Sequence, residues 1–381
     1  MIRYARLMRG ALLGLLASIA FGACRDDGGT MMMPGEDASM TIDTPPTPPA
    51  HVVAYVSGYS ANIAWFDLDT ESGALTQVSQ IASFANNPSF LAMTQSRLYA
   101  AAEAGNRVGA YSIDQETGAL TFINDVSSSG TGPAHVGVDN TGAYAMVANY
   151  GNGAIAVLPI RGDGGLMAAS QTLQAGANAH QIITDPSNGF VLVPCKGDDW
   201  VAQYTFASGT LTANTTPRAM TADGAGPRHI AITPSGQYAY LINELDSTLT
   251  AFSFSAGRLT PLHTVSSRAN GATGNNTGAE IAVHPAGNFV YASNRGDNNI
   301  AVFRIAPSTG MVTLVGHVPT GGMTPRSFAI DPSGAWLFAA NQNSDTVVTF
   351  SVDESTGMAS PTGASMPFDN PSFIGFVSLP P

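Results

Sequence analysis

An arginine and a histidine stand side by side in the stretch GAGPRH, which ends at Arg228 and His229. The glycines and the proline have the backbone conformations that a turn needs, but no turn type requires Arg-His. A guanidinium group can bind a carboxylate or a phosphate through two parallel hydrogen bonds, and an imidazole can exchange a proton near neutral pH. The two residues are therefore candidates for chemistry as well as for the fold.

A repeat organises most of the chain around such turns. Turn glycines that lie 47, 47, 51 and 47 residues apart are Gly142, Gly189, Gly236, Gly287 and Gly334. Each is followed by an apolar strand and a polar loop, and seven such strand pairs can be counted, from HVVAYVSGYSANIAWFDLD to AWLFAANQNSDTVVTFSV. Four short strands in a unit of this length are typical of a β-propeller blade. The sequence therefore predicts an all-β fold, a seven-bladed β-propeller with four-stranded antiparallel blades.

The two ends of the repeat region predict how the ring closes. The first unit lacks an innermost strand, whereas the chain finishes with NPSFIGFVSL, which matches PRHIAIT in position and pattern. We expect this last strand to complete the first blade and so to protect the edges of the ring. A solenoid with the same repeat is the alternative, but it would leave the last strand alone.

Comparison of the blades separates turn residues from residues that vary. The loops between the second and third strands should lie on one face, and an asparagine that suits a turn recurs there as Asn149, Asn243, Asn294 and Asn341. The residue eight positions after the turn glycine has no such structural constraint and varies: Glu103 (with one deletion), Tyr150, Gly197, Glu244, Arg295 and Gln342.

The start of each innermost strand should lie on the same face. Two residues after the turn proline or its equivalent, the blades have Phe90, His135, His180, His229, Glu280, Ser327 and Phe373. Recurring histidines suggest a partly structural role, such as bonding a loop carbonyl near the axis. The preceding residue is small in five blades but is Arg228 and Arg326 in the other two. The chemistry of GAGPRH is therefore assigned mainly to the arginine.

Four cations should meet at this mouth of the ring, and they are Lys196, Arg228, Arg295 and Arg326. Structural pairing is an alternative, in which Arg228 bridges to Glu244, and Arg295 to Asp297 or Glu280. Burial of several cations without a function would carry a desolvation cost, which favours a site for an anion.

The N-terminal residues predict export. Three arginines precede the apolar run ALLGLLASIAF, which is far shorter than the roughly 20 residues that span a bilayer. We interpret residues 1–23 as a signal peptide of the lipoprotein type, with Cys24 as the lipidated residue, although an ordinary secretory signal cleaved near Ala23 is the alternative. Residues 24–50 predict a disordered Pro/Thr-rich tether, and residues 51–381 the propeller. The predicted location is the cell envelope, with the membrane reached only through the lipid anchor.

Charge and cysteine content limit the possible ligands and the possible disulfide bonds. Without the signal peptide the chain has 12 basic and 27 acidic residues, a net charge of −15. This balance argues against nucleic acid as a partner, so an anionic ligand needs a local cationic pocket. Once Cys24 is acylated, Cys195 has no disulfide partner, and we expect it to be buried.

Several stretches of the repeat resemble those of a known family. The run GAGPRHIAITPSGQYAYLINELDSTL is similar to the signature of the seven-bladed propeller lactonases, which include the propeller-type 6-phosphogluconolactonases and the carboxy-muconate lactonising cycloisomerases. Further likeness in GALTFIND, ANAHQIITDP, YASNRGDNNIAVF and TPRSFAIDPSG extends the resemblance across residues 51–381.

The resemblance implies an active site at one mouth, without a cofactor and without a metal. Its catalytic residues fall on His180, Arg228 and Glu244, with Arg295 and Arg326 as substrate anchors. Either His180 or Glu244 could take a proton from water, and Arg228 would stabilise the oxyanion. The blade comparison adds further substrate-binding candidates, namely Lys196, His229 and Asn294.

The function implied is hydrolysis of a sugar-acid or other anionic lactone to the hydroxy acid, by a monomer acting on a small molecule. Export argues against a lactone made in the cytoplasm, such as 6-phosphogluconolactone. A non-catalytic envelope propeller that binds a ligand or protein at the same mouth is the alternative. A quinoprotein-like dehydrogenase is disfavoured because the chain has only three tryptophans, which do not recur blade by blade.

Overall fold

The computed structural model describes residues 51–380. The predicted signal peptide, the tether and the proposed lipidation site Cys24 lie outside the described residues. Within residues 51–380, the only helices are the short 3₁₀ turns Glu103–Gly105 and Gln342–Ser344, and neither is long or apolar enough to cross a membrane. The rest of this region is built from strands and turns, as the repeat predicts.

The strands form seven four-stranded antiparallel sheets, each of which is one blade. Blades 1 to 3 contain β1 (Val52–Gly58), β2 (Asn62–Leu68), β3 (Leu75–Ala82); β4 (Pro88–Met93), β5 (Arg97–Ala102), β6 (Arg107–Ile113), β7 (Leu120–Ser127); and β8 (Pro133–Val138), β9 (Tyr144–Asn149), β10 (Ala154–Pro159), β11 (Gln171–Gln174). Blades 4 and 5 contain β12 (Ile183–Thr184), β13 (Phe190–Cys195), β14 (Trp200–Ala207), β15 (Thr210–Met220); and β16 (Pro227–Ile232), β17 (Tyr238–Asn243), β18 (Thr248–Ser255), β19 (Arg258–Ser266). Blades 6 and 7 contain β20 (Gly278–Val283), β21 (Phe289–Asn294), β22 (Asn299–Ile305), β23 (Val312–Pro319); and β24 (Pro325–Ile330), β25 (Trp336–Asn341), β26 (Thr346–Val352), β27 (Ala359–Pro367).

The last strand closes the ring, as the sequence predicts. β28 (Pro371–Ser378) pairs antiparallel with β1, with Val53 opposite Val377, and becomes the innermost strand of blade 1. Blade 7 also contacts blade 1 directly, because the indole N–H of Trp336 donates to the carbonyl of Thr70 at 3.0 Å. The seven-bladed all-β propeller is therefore confirmed, and the solenoid alternative is excluded.

Hydrophobic cores lie between consecutive blades, so each blade depends on its neighbours. Buried tyrosines on the second strands extend this contact, since Tyr240 donates to the carbonyl of Gly310 in the next blade at 3.0 Å and Tyr291 to that of Gly357 at 2.7 Å. Both glycines have positive φ, and a Cβ on Gly310 would lie 2.1 Å from the Tyr238 ring. The glycine of the turn between the third and fourth strands of these blades is therefore required by both conformation and close packing.

The prediction for Cys195 is also confirmed. The thiol is fully buried at the end of β13, and burial raises its pKa to about 12. A thiol in this state behaves as a small apolar side chain.

Candidate active site

Two sets of equivalent positions, one from each of two adjacent strands, form one mouth of the ring. The first set follows the second strand of each blade, and the N–H of each member donates to a carbonyl just before the innermost strand at 2.7 to 3.1 Å. Its members are Tyr59, Glu103, Tyr150, Lys196, Glu244, Arg295 and Gln342. We call this set the loop set.

The loop set corrects one sequence assignment and adds one residue. Lys196, not Gly197, is the equivalent of Glu244, because the glycine of DPSNG lies one position later than in the other turns, which have the same length, so counting from it goes one position too far. Tyr59 was missed in the sequence comparison. It could have been found by extending that comparison to blade 1, where Gly58 pairs with Pro371 as Asn243 pairs with Pro227 in blade 5.

The second set is created by a β-bulge near the start of each innermost strand. In blade 5, Pro227 pairs with Asn243 and His229 with Ile242, so Arg228 is the extra residue. A bulge redirects a side chain away from the regular alternation of a strand. We call the residues at this position the bulge set: Ser89, Ala134, His180, Arg228, Ala279, Arg326 and Ser372.

The membership of His180 in the bulge set overturns part of the sequence alignment. A bridge joins Ala179 to Cys195, and Ile183 pairs with Leu192. His180 is therefore equivalent to Arg228, and the expectation that it shares a position with His135 and His229 is wrong. GANAH has no proline to mark the register, and β12 begins only at Ile183, so the motif was aligned one residue too early.

The position after the bulge set is structural, and it joins the inner strands of neighbouring blades. The Nδ1 atom of His135 accepts from the N–H of Ile182 at 3.4 Å, and the Oε1 atom of Gln181 accepts from the N–H of Ile230 at 2.6 Å. These partners are backbone amides rather than the loop carbonyls that we expected. The position holds the innermost strands together around the axis.

His229 belongs to this structural position as well. Its Nδ1 atom lies 2.8 Å from the Glu280 carboxylate in the next blade, and the residue is only 1% exposed. Its ring meets the ring of His180 edge to face, with centroids 5.0 Å apart. His229 thus packs against His180 and does not line the cavity, as substrate binding by His229 would require.

A cavity of about 210 Å³ occupies the mouth, and all of its lining residues come from the loop set and the bulge set. They are Glu103, Ala134, Tyr150, His180, Lys196, Glu244, Arg295 and Arg326. Of the predicted site residues, His180, Glu244, Lys196, Arg295 and Arg326 are thus brought together around one space.

Three cations surround the Glu244 carboxylate. The Nζ atom of Lys196 lies 2.8 Å from Oε1, the nearest guanidinium nitrogen of Arg295 is 3.2 Å from the same oxygen, and Nε of Arg228 is 3.2 Å from Oε2. Burial alone would raise the pKa of Glu244, but these cations outweigh it and hold the pKa at about 2. The carboxylate is therefore a fixed negative charge at any ordinary pH and a weak base.

Arg228 lies behind Glu244 rather than in the cavity lining. Its side chain is 3% exposed, and its Nη1 atom donates to the carbonyl of Ala279 at 2.6 Å. Burial, followed by repulsion from Arg326 and Arg295, lowers its pKa to about 9, so the guanidinium stays charged at neutral pH. The Arg228–Glu244 bridge considered in the sequence analysis forms, whereas Asp297 pairs with Arg268 and not with Arg295.

His180 is a buried imidazole surrounded by positive charge. Burial lowers its pKa well below the ordinary value, and Arg228, His229, Arg326 and Lys196 lower it further. Its Nδ1 atom is buried without a hydrogen-bond partner among the described residues. At neutral pH the ring is therefore neutral, and a neutral imidazole can accept a proton.

Asn294 does not reach the cavity. It is fully buried; its side-chain amide donates to the carbonyl of Ser267 at 2.8 Å and to Oδ1 of Asn299 at 3.0 Å. Asn294 therefore lies outside the cavity in which substrate binding was expected of it, and its side chain bonds to the neighbouring loop and strand. Across residues 51–380, no group of three His, Cys, Asp or Glu side chains is arranged to hold a metal ion.

The fold and the site together define a class: a seven-bladed propeller with a small cavity lined by charged residues at one mouth. The family model described as "Lactonase, 7-bladed beta-propeller" matches residues 50–376. The chain belongs to this seven-bladed β-propeller lactonase family, as the sequence resemblance indicated.

Relatives and solved structures support the family. The protein is 33% identical to a 6-phosphogluconolactonase of Bacillus subtilis over 286 residues, which are 71% of this chain and 81% of that protein. It is 34% identical to a 6-phosphogluconolactonase of Pectobacterium atrosepticum over 185 residues, which are 48% of this chain and only 56% of that relative's length. The structure of a periplasmic gluconolactonase of Pseudomonas aeruginosa matches with 28% identity and a TM-score of 0.81, covering 86% of this chain and 99% of that one.

Proposed function

We propose that the protein hydrolyses a sugar-acid or other anionic lactone to the open hydroxy acid at this mouth. The observation that carries the proposal is the placement of neutral His180 and three cationic side chains around one cavity. Lactone hydrolysis needs those two features, since water must lose a proton while negative charge develops on the carbonyl oxygen. The cavity cations for that charge are Lys196, Arg295 and Arg326.

In the proposed reaction, His180 accepts a proton from water as the water oxygen bonds to the lactone carbonyl carbon. The resulting oxyanion is stabilised by the cavity cations. When the tetrahedral intermediate collapses, the bond to the ring oxygen breaks, and the leaving oxygen takes the proton back from His180. The product is a hydroxy acid, which releases one proton at neutral pH.

The roles of the other two predicted catalytic residues follow from their surroundings. Glu244 is a poor general base because three cations hold its pKa at about 2. We assign it to positioning Lys196 and Arg295, and we assign Arg228 to positioning Glu244. The oxyanion role expected for Arg228 passes to the cations that line the cavity.

Substrate and location remain part of the proposal. The predicted signal peptide, together with likeness to a protein named a periplasmic gluconolactonase, supports an envelope location and an unphosphorylated sugar lactone. A lipid anchor at Cys24 and a monomeric state complete the proposal.

The test is proton release by the soluble part, residues 45–381, with a panel of sugar lactones. His180→Gln is compared with Glu116→Gln, which removes an exposed charge on the far side of blade 2. We expect the wild type and Glu116→Gln to be active and His180→Gln to lose most activity. A wild-type rate equal to the uncatalysed rate on every lactone would leave the mouth as a binding site only.

A further inference from the structure

The proposed reaction leaves one side of the cavity unused, where Glu103 lies in the loop set of blade 2. Its Oε1 atom accepts from the hydroxyl of Ser89 at 2.6 Å and from the phenol of Tyr59 at 3.0 Å. Within the described residues its Oε2 atom has no hydrogen-bond donor, and the side chain lines the cavity. Glu103 is therefore a carboxylate fixed in place with acceptor capacity to spare.

The charge environment of Glu103 differs from that of Glu244. Among residues 51–380, no Lys, Arg or His nitrogen lies within 4.0 Å of the Glu103 carboxylate, whereas Glu244 has three cationic partners within that distance. A negative charge on this side therefore has no direct counter-charge. A ligand group that donates a hydrogen bond would be favoured there, and an anionic group would be repelled.

Tyr59 connects Glu103 to the Arg326 guanidinium. A guanidinium nitrogen of Arg326 donates to the Tyr59 oxygen at 2.6 Å, and the guanidinium lies over the Tyr59 ring, 5.1 Å from its centroid. Burial raises the pKa of Tyr59 to about 12, so the phenol keeps its proton and donates it to Glu103. Arg326, Tyr59 and Glu103 thus form a chain of hydrogen bonds, in which Arg326 donates to Tyr59 and Tyr59 donates to Glu103, and the charges of Arg326 and Glu103 cancel.

We propose that Glu103, positioned by Tyr59 and Ser89, selects unphosphorylated polyhydroxylated lactones over phosphorylated ones. A hydroxyl group can donate to Glu103 and accept from Arg326, so it satisfies both ends of the chain. A phosphate dianion would meet repulsion from Glu103 that offsets its attraction to Arg326. This inference rests on the proposed function, because the lactone carbonyl must lie at His180 in blade 4 while the hydroxyl groups of the same ligand reach Glu103 in blade 2.

The test compares kcat/KM for glucono-δ-lactone and for its 6-phosphate in wild type and Glu103→Gln. We expect the wild type to prefer the unphosphorylated lactone, and the Gln variant to lose that preference by about tenfold or more, since a hydrogen bond to a charged group is exchanged for one to a neutral amide. Glu116→Gln, with the same charge change on the opposite face, should keep the wild-type ratio within about twofold. An unchanged ratio in Glu103→Gln overturns the inference and leaves the hydrolysis proposal intact.

Binding of the product acids provides a readout without turnover. Calorimetry with gluconate and with 6-phosphogluconate should give the same order of preference and the same loss in Glu103→Gln. If the wild type hydrolyses no lactone, the proposed function fails, while these affinities still decide the role of Glu103. Should Glu103→Gln not fold, Tyr59→Phe keeps the charge but disconnects it from Arg326, and equal gluconate affinity in Tyr59→Phe and wild type would count against the inference.

Discussion

Replacing Glu244 with Gln tests whether the carboxylate is the electrostatic centre of the site or a base. The change keeps the size of the side chain and removes the charge that contacts Lys196, Arg228 and Arg295 at 2.8 to 3.2 Å. We expect Glu244→Gln to be destabilised at neutral pH, because three buried or half-buried cations then face each other without a counter-ion.

The pKa of Glu244 gives the magnitude of the expected destabilisation. A fall from the ordinary 4.5 to about 2 corresponds to about 3 kcal/mol of preferential stabilisation of the charged form, at about 1.4 kcal/mol per pKa unit. Since the folded pKa is the lower one, this stability is fully present above pH 4.5 and is lost as the pH falls toward 2. The difference between wild type and Glu244→Gln should therefore be about 3 kcal/mol at pH 7 and roughly half of that or less near pH 3.

Urea unfolding at pH 7 and pH 3 measures this difference, with Glu116→Gln as the matched control. Glu116 is exposed on the opposite face, so its loss should change the midpoint little at either pH. A Glu244→Gln midpoint equal to that of wild type at pH 7, or a difference that is the same at both pH values, would refute the electrostatic reasoning. Activity provides the second readout: if Glu244 were the base, the variant would also lose the acid limb of the pH profile.

Further predictions address the base, the pH range and the ring. His180→Gln should lower kcat by about a hundredfold or more in the proton-release assay, with a smaller effect on KM. The kcat/KM of wild type, after subtraction of the uncatalysed rate, should fall only well below pH 6.5, where His180 becomes protonated. Burial holds the pKa of His135 well below 6.5, so the unfolded chain binds this proton first and the folded protein loses stability as pH falls below 6.5. The variant His135→Gln, which copies Gln181 of blade 4, should reduce that loss of stability in urea unfolding at pH 5. Tyr240→Phe should cost about 1 kcal/mol in the same assay at pH 7, because it leaves the buried carbonyl of the next blade unpaired.

The fold could be predicted from the sequence because the same pattern of strands and turns recurs in each blade. Each turn between the first and second strands of a blade fixes the start of the second strand. The turns between the third and fourth strands need a glycine that packs against the neighbouring blade, as Gly310 does. The final strand NPSFIGFVSL was assigned to blade 1 because a propeller without it would have an open edge. Such local patterns can be recognised in the sequence because the backbone geometry of a turn restricts which residue types can occupy each position.

The site could be predicted only in part, because its geometry depends on a bulge and on side-chain partners. Pattern comparison found the face and most of its charges. It aligned His180 one residue too early, because the Gly-Ala-Asn-Ala segment before it has no proline to mark the register. It also placed Arg228 in the open mouth, whereas the structure buries that side chain behind Glu244. The Tyr59–Glu103 contact joins blades 1 and 2 over 44 residues, and no local pattern encodes it.

The balance of charge in the mouth has a consequence for the proposed reaction. A lactone carries no charge at its ester group, but its hydrolysis product carries a carboxylate, which an uncompensated cluster of four cations would bind more tightly than the substrate. Glu244 and Glu103 reduce the net charge of the mouth without removing any cation from the cavity lining. The net negative charge of the whole chain further opposes retention of an anion. The same cations can therefore stabilise a transient oxyanion held next to His180 and still release the carboxylate that forms from it.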